Sequence, residues 1–261
     1  MHRVKYATLL LLLFAVLGVP AVVAFLLAPT PAPVVVMPNP NGYDTLREAS
    51  AVFVEGDTAE EWDVAVLKAW LASNEASYAL VEEACDQEIL IPLHEMQTDD
   101  HVPVTRILGF LRLIEADARI AEVEDRLADA VGLYTKIFDL SNRIDEGGAT
   151  LDALVSNAGK GMALDALIRL EGSLSEESRH DLATRLREIG NDRIDVEEVR
   201  NRELQAARRQ YGLFHAGMMS FQSARDMTQV SSIDQNTAGK YETLVERLSS
   251  ATIDPNADQA E

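Results

Sequence analysis

Five side chains able to hold a metal or move a proton stand close together in one short stretch: His94, Glu95, Asp99, Asp100 and His101. Imidazole nitrogens and carboxylate oxygens are the donors that zinc and similar divalent ions take from proteins. His94, Glu95, Asp99 and His101 are therefore the candidate metal set. Pro92 interrupts the helical period of the stretch 88–100, so the donors are expected on an irregular connection. The spacing departs from the familiar metal patterns, since an HExxH helix would need histidine where Thr98 stands. A solvated polar loop is the competing reading of the same residues.

Other combinations point to chemistry less well. Asn157-Ala158-Gly159-Lys160-Gly161 has the look of a phosphate loop, yet a Walker A motif needs glycine at 154 and Ser or Thr at 161, where Leu154 and Gly161 stand. Those glycines instead suggest close helix packing. His215, Met218, Met219 and Phe221 hold the donor types of a haem or copper pocket, but a methionine and aromatic stripe at helical spacing is the ordinary pattern of a core or an interaction face. With Trp62 and Trp70, the side chains of Met218, Met219 and Phe221 make the candidate interaction set. His180 sits among charges and is expected in solvent. No GxSxG and no suitably ordered Cys–His pair occurs, and the carboxylates at Glu122, Glu124 and Asp125, and at Glu197, Glu198 and Glu203, are what charged helix faces carry anyway. No catalytic residue and no cofactor is predicted.

Charge narrows the partners. Lys and Arg number 23 against 43 Asp and Glu, a formal net charge of −20. Such a surface repels the phosphates of DNA and RNA and the headgroups of anionic lipids. It keeps a domain soluble, and it leaves a cationic partner or a divalent ion as the charged alternative. The single cysteine, Cys85, excludes an internal disulfide framework and, lying far from the leader, a lipoprotein anchor. Its apolar helical neighbours predict burial.

The elements that carry these residues follow from the apolar pattern. Residues 6–27 hold no charge. They exceed the roughly 20 apolar residues that a spanning helix needs and the ~7 to 15 of a signal-peptide core. Arg3 and Lys5 precede the segment and no charge follows it before Asp44, so the positive-inside rule sets the N-terminus in the cytoplasm and the rest outside. Small residues at Val22 and Ala24, and before Ala28 or Ala32, keep a cleaved leader as the alternative. Pro29, Pro31, Pro33, Pro38 and Pro40 then make residues 29–42 a semi-rigid spacer.

Beyond the spacer only helical signals recur. A helix is expected over 44–55, stopped by Gly56; a capping box at Thr58 and Glu61 opens a second, which bends near Asn74 and ends about Asp86. Pro103 suits a first helical position ahead of Ile107, Leu111, Ile114, Ala118 and Ala121. That register fails at Asp125, which leaves either one bent helix from Pro103 to Glu146 or two helices with a tight turn at 122–126, and ordinary helix lengths favour two. Thr150 caps a helix to about Leu170 that is apolar nearly all round and so expected at the centre. Ser173 and Ser175 open a helix stopped by Gly190, Asp195 and Glu198 open another reaching as far as Met227, and a last helix covers 235–250 before a polar tail at 251–261.

The successive pairs, 151–170 followed by 174–189, resemble tetratricopeptide hairpins in their proportions. In overall layout the chain resembles uncharacterised single-pass, membrane-anchored, all-α bacterial proteins, through its apolar leader, its spacer, Asn41-Gly42-Tyr43-Asp44 at the opening of the helical domain, and Gly147-Gly148 before residues 151–155. The resemblance implies fold and topology, and no activity. The expectation is thus an all-α chain: a transmembrane signal anchor (1–28), a linker (29–42), an acidic helical-hairpin array or bundle (43–250) and a tail (251–261). Its expected role is a non-enzymatic, membrane-tethered interaction or scaffolding module with a protein partner and no nucleic acid. The alternative is an extracytoplasmic metal-dependent hydrolase using residues 94–101.

Overall fold

A computed structural model describes residues 36–56, 63–92, 101–144, 146–190 and 195–250, the last with backbone alone over 210–227. Helix is the sole regular structure among the described residues, so the all-α expectation holds. No described helix is long and apolar enough to cross a membrane. The expected anchor, the spacer up to residue 35 and the tail lie outside the described residues, as do Trp62, Thr58, Glu61, His94, Glu95 and Asp99.

The first helix, α1 (Gly42–Val52), starts two residues before its predicted position because the Asn41 side chain accepts from the Tyr43 amide and caps it. It also ends before Gly56, whose surroundings give the glycine another role: a Cβ there would lie 2.5 Å from the indole nitrogen of Trp70. Asp63 caps α2 (Val64–Ser73), and the expected bend at Asn74 is a true break, after which α3 (Glu75–Cys85) begins. Asn74 is buried and holds the corner, accepting from the Val54 amide and donating to the Val54 carbonyl.

Pro103 stands at the N-cap of α4 (Val104–Val123), one place ahead of its predicted position. The predicted tight turn follows, with Asp125 in the left-handed region (φ 57) before α5 (Leu127–Ile144). Then come α6 (Thr150–Leu170), a short 3-10 turn, and α7 (Glu176–Ile189), capped by Ser175 and closed by Gly190 at φ 74. The two helices expected after Asp195 form one helical element, α8 (Val196–Ser250).

The described helices close around one core instead of stacking as an open array. A single cluster joins Tyr43 of α1, Val81 of α3, Phe110 of α4, Phe138 of α5, Leu164 of α6, Leu186 of α7 and Leu248 of α8. α4, α5 and α6 pack on one another, α1 lies on α3, and α2 covers α4. The tetratricopeptide-like pairing of 151–170 with 174–189 is not what forms: α6 packs on α4, α5 and α8, and α7 on α5 and α8. Tyr241 of α8 enters this core, stacked on Phe138 at 5.6 Å between ring centroids.

α6 is central, as expected, but it is not apolar all round. Its buried positions include Asp152, Ser156, Asn157 and Lys160, whereas Leu151 is exposed. The glycine at 159 explains the closeness of α5, because an added Cβ would lie 2.1 Å from the Ser141 hydroxyl and 2.6 Å from Leu111. This bears out the packing reading of Gly159; Gly161 has open space around it.

α8 is not a straight rod. Glu203 accepts from the Thr150 amide at one end of α6, and Lys240 pairs with Asp165 further along the same helix. A straight α8 would separate those contacts by about 55 Å, whereas about 22 Å separates them on α6. Val199 and Val230, both fully buried, also join one cluster with Ala153. The helix axis therefore folds back between Glu203 and Val230.

Candidate functional site

His101 is the one member of the candidate metal set within the described residues, and its environment is well defined. The imidazole Nε2 lies 3.3 Å from Asp152 Oδ2, and Nδ1 lies 2.8 Å from the Val102 carbonyl. Asp152 is fully buried and His101 is about three-quarters buried. A carbonyl and a carboxylate each face a ring nitrogen, an arrangement that favours the doubly protonated imidazolium. The Asp152 hydrogen bond raises the His101 pKa above its ordinary 6.5 against the opposing effect of burial.

The pair is held by four distant parts of the chain. Asp152 stands in the first turn of α6, where its Oδ2 also accepts from the Ala149 amide at 2.8 Å. Negative charge there complements the positive end of the helix. Glu203 of α8 adds a second carboxylate to the same end through the Thr150 amide, also at 2.8 Å. The residue next to His101 is held by α1: the Tyr43 hydroxyl accepts from the Val102 amide at 2.8 Å, and its ring lies 6.1 Å from the imidazole. Burial pushes the Tyr43 hydroxyl pKa well above the usual tyrosine value, so it remains neutral.

The other flank of residues 93–100 is pinned as firmly. Asn41 accepts from the Leu90 amide and donates to the Leu90 carbonyl, Gly42 donates to Glu88, and Ile91 donates to Glu146. Arg143 reaches across from α5 to the carbonyls of Cys85 and Gln87. Ile91 and His101, which flank residues 93–100, thus both lie against the chain that enters α6. Among the described residues no three His, Cys, Asp or Glu groups gather as metal ligands. For His101 to bind a metal it must first release either Asp152 or the Val102 carbonyl.

A hydrolytic dyad presents one imidazole nitrogen to a nucleophile or a water while the carboxylate holds the other. In this pair the second nitrogen faces a backbone carbonyl, so what the arrangement does is clamp. It ties the chain entering α4 to the first turn of α6 by an ion pair sheltered from water. Asp152 was visible in the sequence only as a charge interrupting apolar residues, and the one available signal was its place in the first turn of a helix.

Of the interaction set, Trp70 is described, and it is half-buried. Its indole N–H donates to the Val54 carbonyl at 3.2 Å, and its ring meets Phe53 edge-on at 6.3 Å. The side chains of Met218, Met219, Phe221 and His215 lie outside the described atoms, though their backbone is helical. Cys85 is buried as expected, and desolvation pushes its thiol up to about 12, which leaves it without reactive thiolate at neutral pH. His180 is exposed.

Several other charged contacts join helices. Lys68 of α2 meets Glu124 beyond α4 at 2.5 Å, Lys136 of α5 meets Glu82 of α3 at 2.8 Å, and Lys240 of α8 meets Asp165 of α6 at 2.6 Å. Glu122, which burial would push towards protonation, is held below the usual carboxylate range by the Arg169 guanidinium and the Tyr134 hydroxyl. A cleft of about 270 Å³ lies between the first turns of α5 and α7, lined by Leu127, Val131, Leu174, Ser178 and Arg185 among others. Comparison with models of protein families, with curated proteins and with solved structures finds no match.

Proposed function

We propose that this chain is a membrane-tethered helical interaction or scaffolding module, held by residues 6–27 and acting outside the cytoplasm without catalysing a reaction. The observation that supports this reading is the His101–Asp152 pair. These are the residue types a hydrolase would use, yet one imidazole nitrogen is engaged by Asp152 across the fold and the other faces the carbonyl of the neighbouring Val102. The cross-helix ion pairs follow the same pattern, with charge used to fix helices against one another. The acidic surface suits a protein partner that is neutral or basic.

The test is purification of the full chain, mildly crosslinked in membranes and solubilised in detergent, beside an unrelated anchored protein of similar charge. A companion enriched over that control, and lost when Met218, Met219 and Phe221 are changed to Ser, is the expected result. Equal recovery of every companion by both baits refutes the reading.

A further inference from the structure

The fold-back of α8 has a second solution in which the helix runs straight. We propose that two copies of this chain exchange the second half of α8, so that residues 230–250 of each cover α6 and α7 of the other. The proposal goes beyond the tethered-module reading and does not depend on it.

Three observations carry it. First, both legs of α8 pack on the same helix: Glu203 reaches Thr150 and Val199 joins Ala153, while Lys240 reaches Asp165 and Arg247 reaches Glu171 just past the end of α6. A second copy would supply identical surfaces, so every one of these contacts survives exchange. On a straight α8, Val199 and Val230 would stand about 46 Å apart, facing two different bodies.

Second, the sequence of the reversal does not specify a loop. Residues 204–229 contain no proline and no Asn-Gly or Asp-Gly pair, and the glycines are Gly212 and Gly217. The backbone is helical through the whole interval. Glycine lets the axis bend but contributes nothing that fixes a turn.

Third, the interval carries an apolar pattern that asks for a partner helix. Leu204, Ala207, Tyr211, Phe214, Met218 and Phe221 recur at alternate spacings of three and four, the repeat of a two-helix seam. A reversal of the axis within the stripe would cut it in two. In the exchanged dimer the two straight helices cross here, and each stripe meets its copy.

The test places one cysteine in each of two full-length chains that both carry Cys85→Ala: Asp165→Cys in one and Lys240→Cys in the other. Both positions are solvent-accessible and pair at 2.6 Å in the wild type. The chains are co-expressed, solubilised in mild detergent and treated with a short bismaleimide. A covalent dimer joining position 165 of one chain to position 240 of the other supports exchange, because unexchanged copies do not bring these positions together. A chain carrying both cysteines controls for folding. If that chain crosslinks only within itself and the mixed pair gives no dimer, the proposal is overturned. Gly212→Ala with Gly217→Ala is the second variant; by stiffening the axis against a bend it should raise the exchanged fraction. An unchanged or lower fraction contradicts the hinge argument.

Discussion

Gly159→Ala probes the contact that brings α5 and α6 together. The new Cβ would sit 2.1 Å from Ser141 Oγ, 2.6 Å from Leu111 Cδ1 and 3.2 Å from Ser141 Cβ. The hydroxyl can rotate away and the leucine methyl can shift, but Ser141 Cβ moves only with its helix. Overpacking of this kind costs about 1–3 kcal/mol. The better helix propensity of Ala offsets about 1 kcal/mol of that; a contact as short as 2.1 Å takes the upper end of the range, leaving a net loss of about 2 kcal/mol. Urea unfolding of the full chain in mild detergent, followed by helical circular dichroism, should show the midpoint fall accordingly. Ser141 Oγ is buried without a hydrogen-bond partner, so Ser141→Ala should be nearly neutral alone and should recover about 1 kcal/mol in the double variant. A Gly159→Ala protein as stable as the wild type would refute the close-contact reasoning, and so would a double variant no better than the single.

Three further outcomes follow from the same contacts. The imidazolium of His101 has a pKa above its unfolded value of about 6.5, so its stabilisation is complete below about that pH and is lost as the pH rises through the folded value. Asp152→Asn should remove this dependence, and a variant retaining the wild-type pH profile of unfolding would show that the pair contributes nothing. Asn74→Ala deletes the bridge to both backbone groups of Val54, which should cost about 2–3 kcal/mol and release hydrogen-exchange protection at Val54 first; uniform loss of protection would contradict a local role. If residues 94–101 bind zinc, elemental analysis should find it stoichiometric in the wild type and lost in His94→Ala with His101→Ala, whereas protein purified without bound metal removes the hydrolase alternative.

The legible parts of this fold were those with strong local signals. The stripe from Ile107 to Ala121, its failure at Asp125, the break at Asn74 and the stop at Gly190 all appear as built, because capping, periodicity and glycine act over a few residues. What the sequence did not show depends on contacts between distant residues. Nothing near Asp152 announces His101, since their meeting needs α4 and α6 to pack first. Asn157 and Lys160 looked like parts of a failed phosphate loop and turned out to be buried on α6. The partners of Trp70, Phe53 and Val54, lie just past the end of α1 and could not be read from its own helix. The helix lengths of 151–170 and 174–189 suggested a hairpin, but α8 covers both of them and length carries no information about that.

The tether and the interaction role meet in one measurement: mild crosslinking of the full-length protein in intact membranes, followed by mass spectrometry of its companions and of its own N-terminus. The expected result is an uncleaved Met1 region together with a crosslinked companion, whether another protein or a second copy. A mature N-terminus near Phe25 or Thr30 with no companion would contradict it, and would mean a released protein that acts alone.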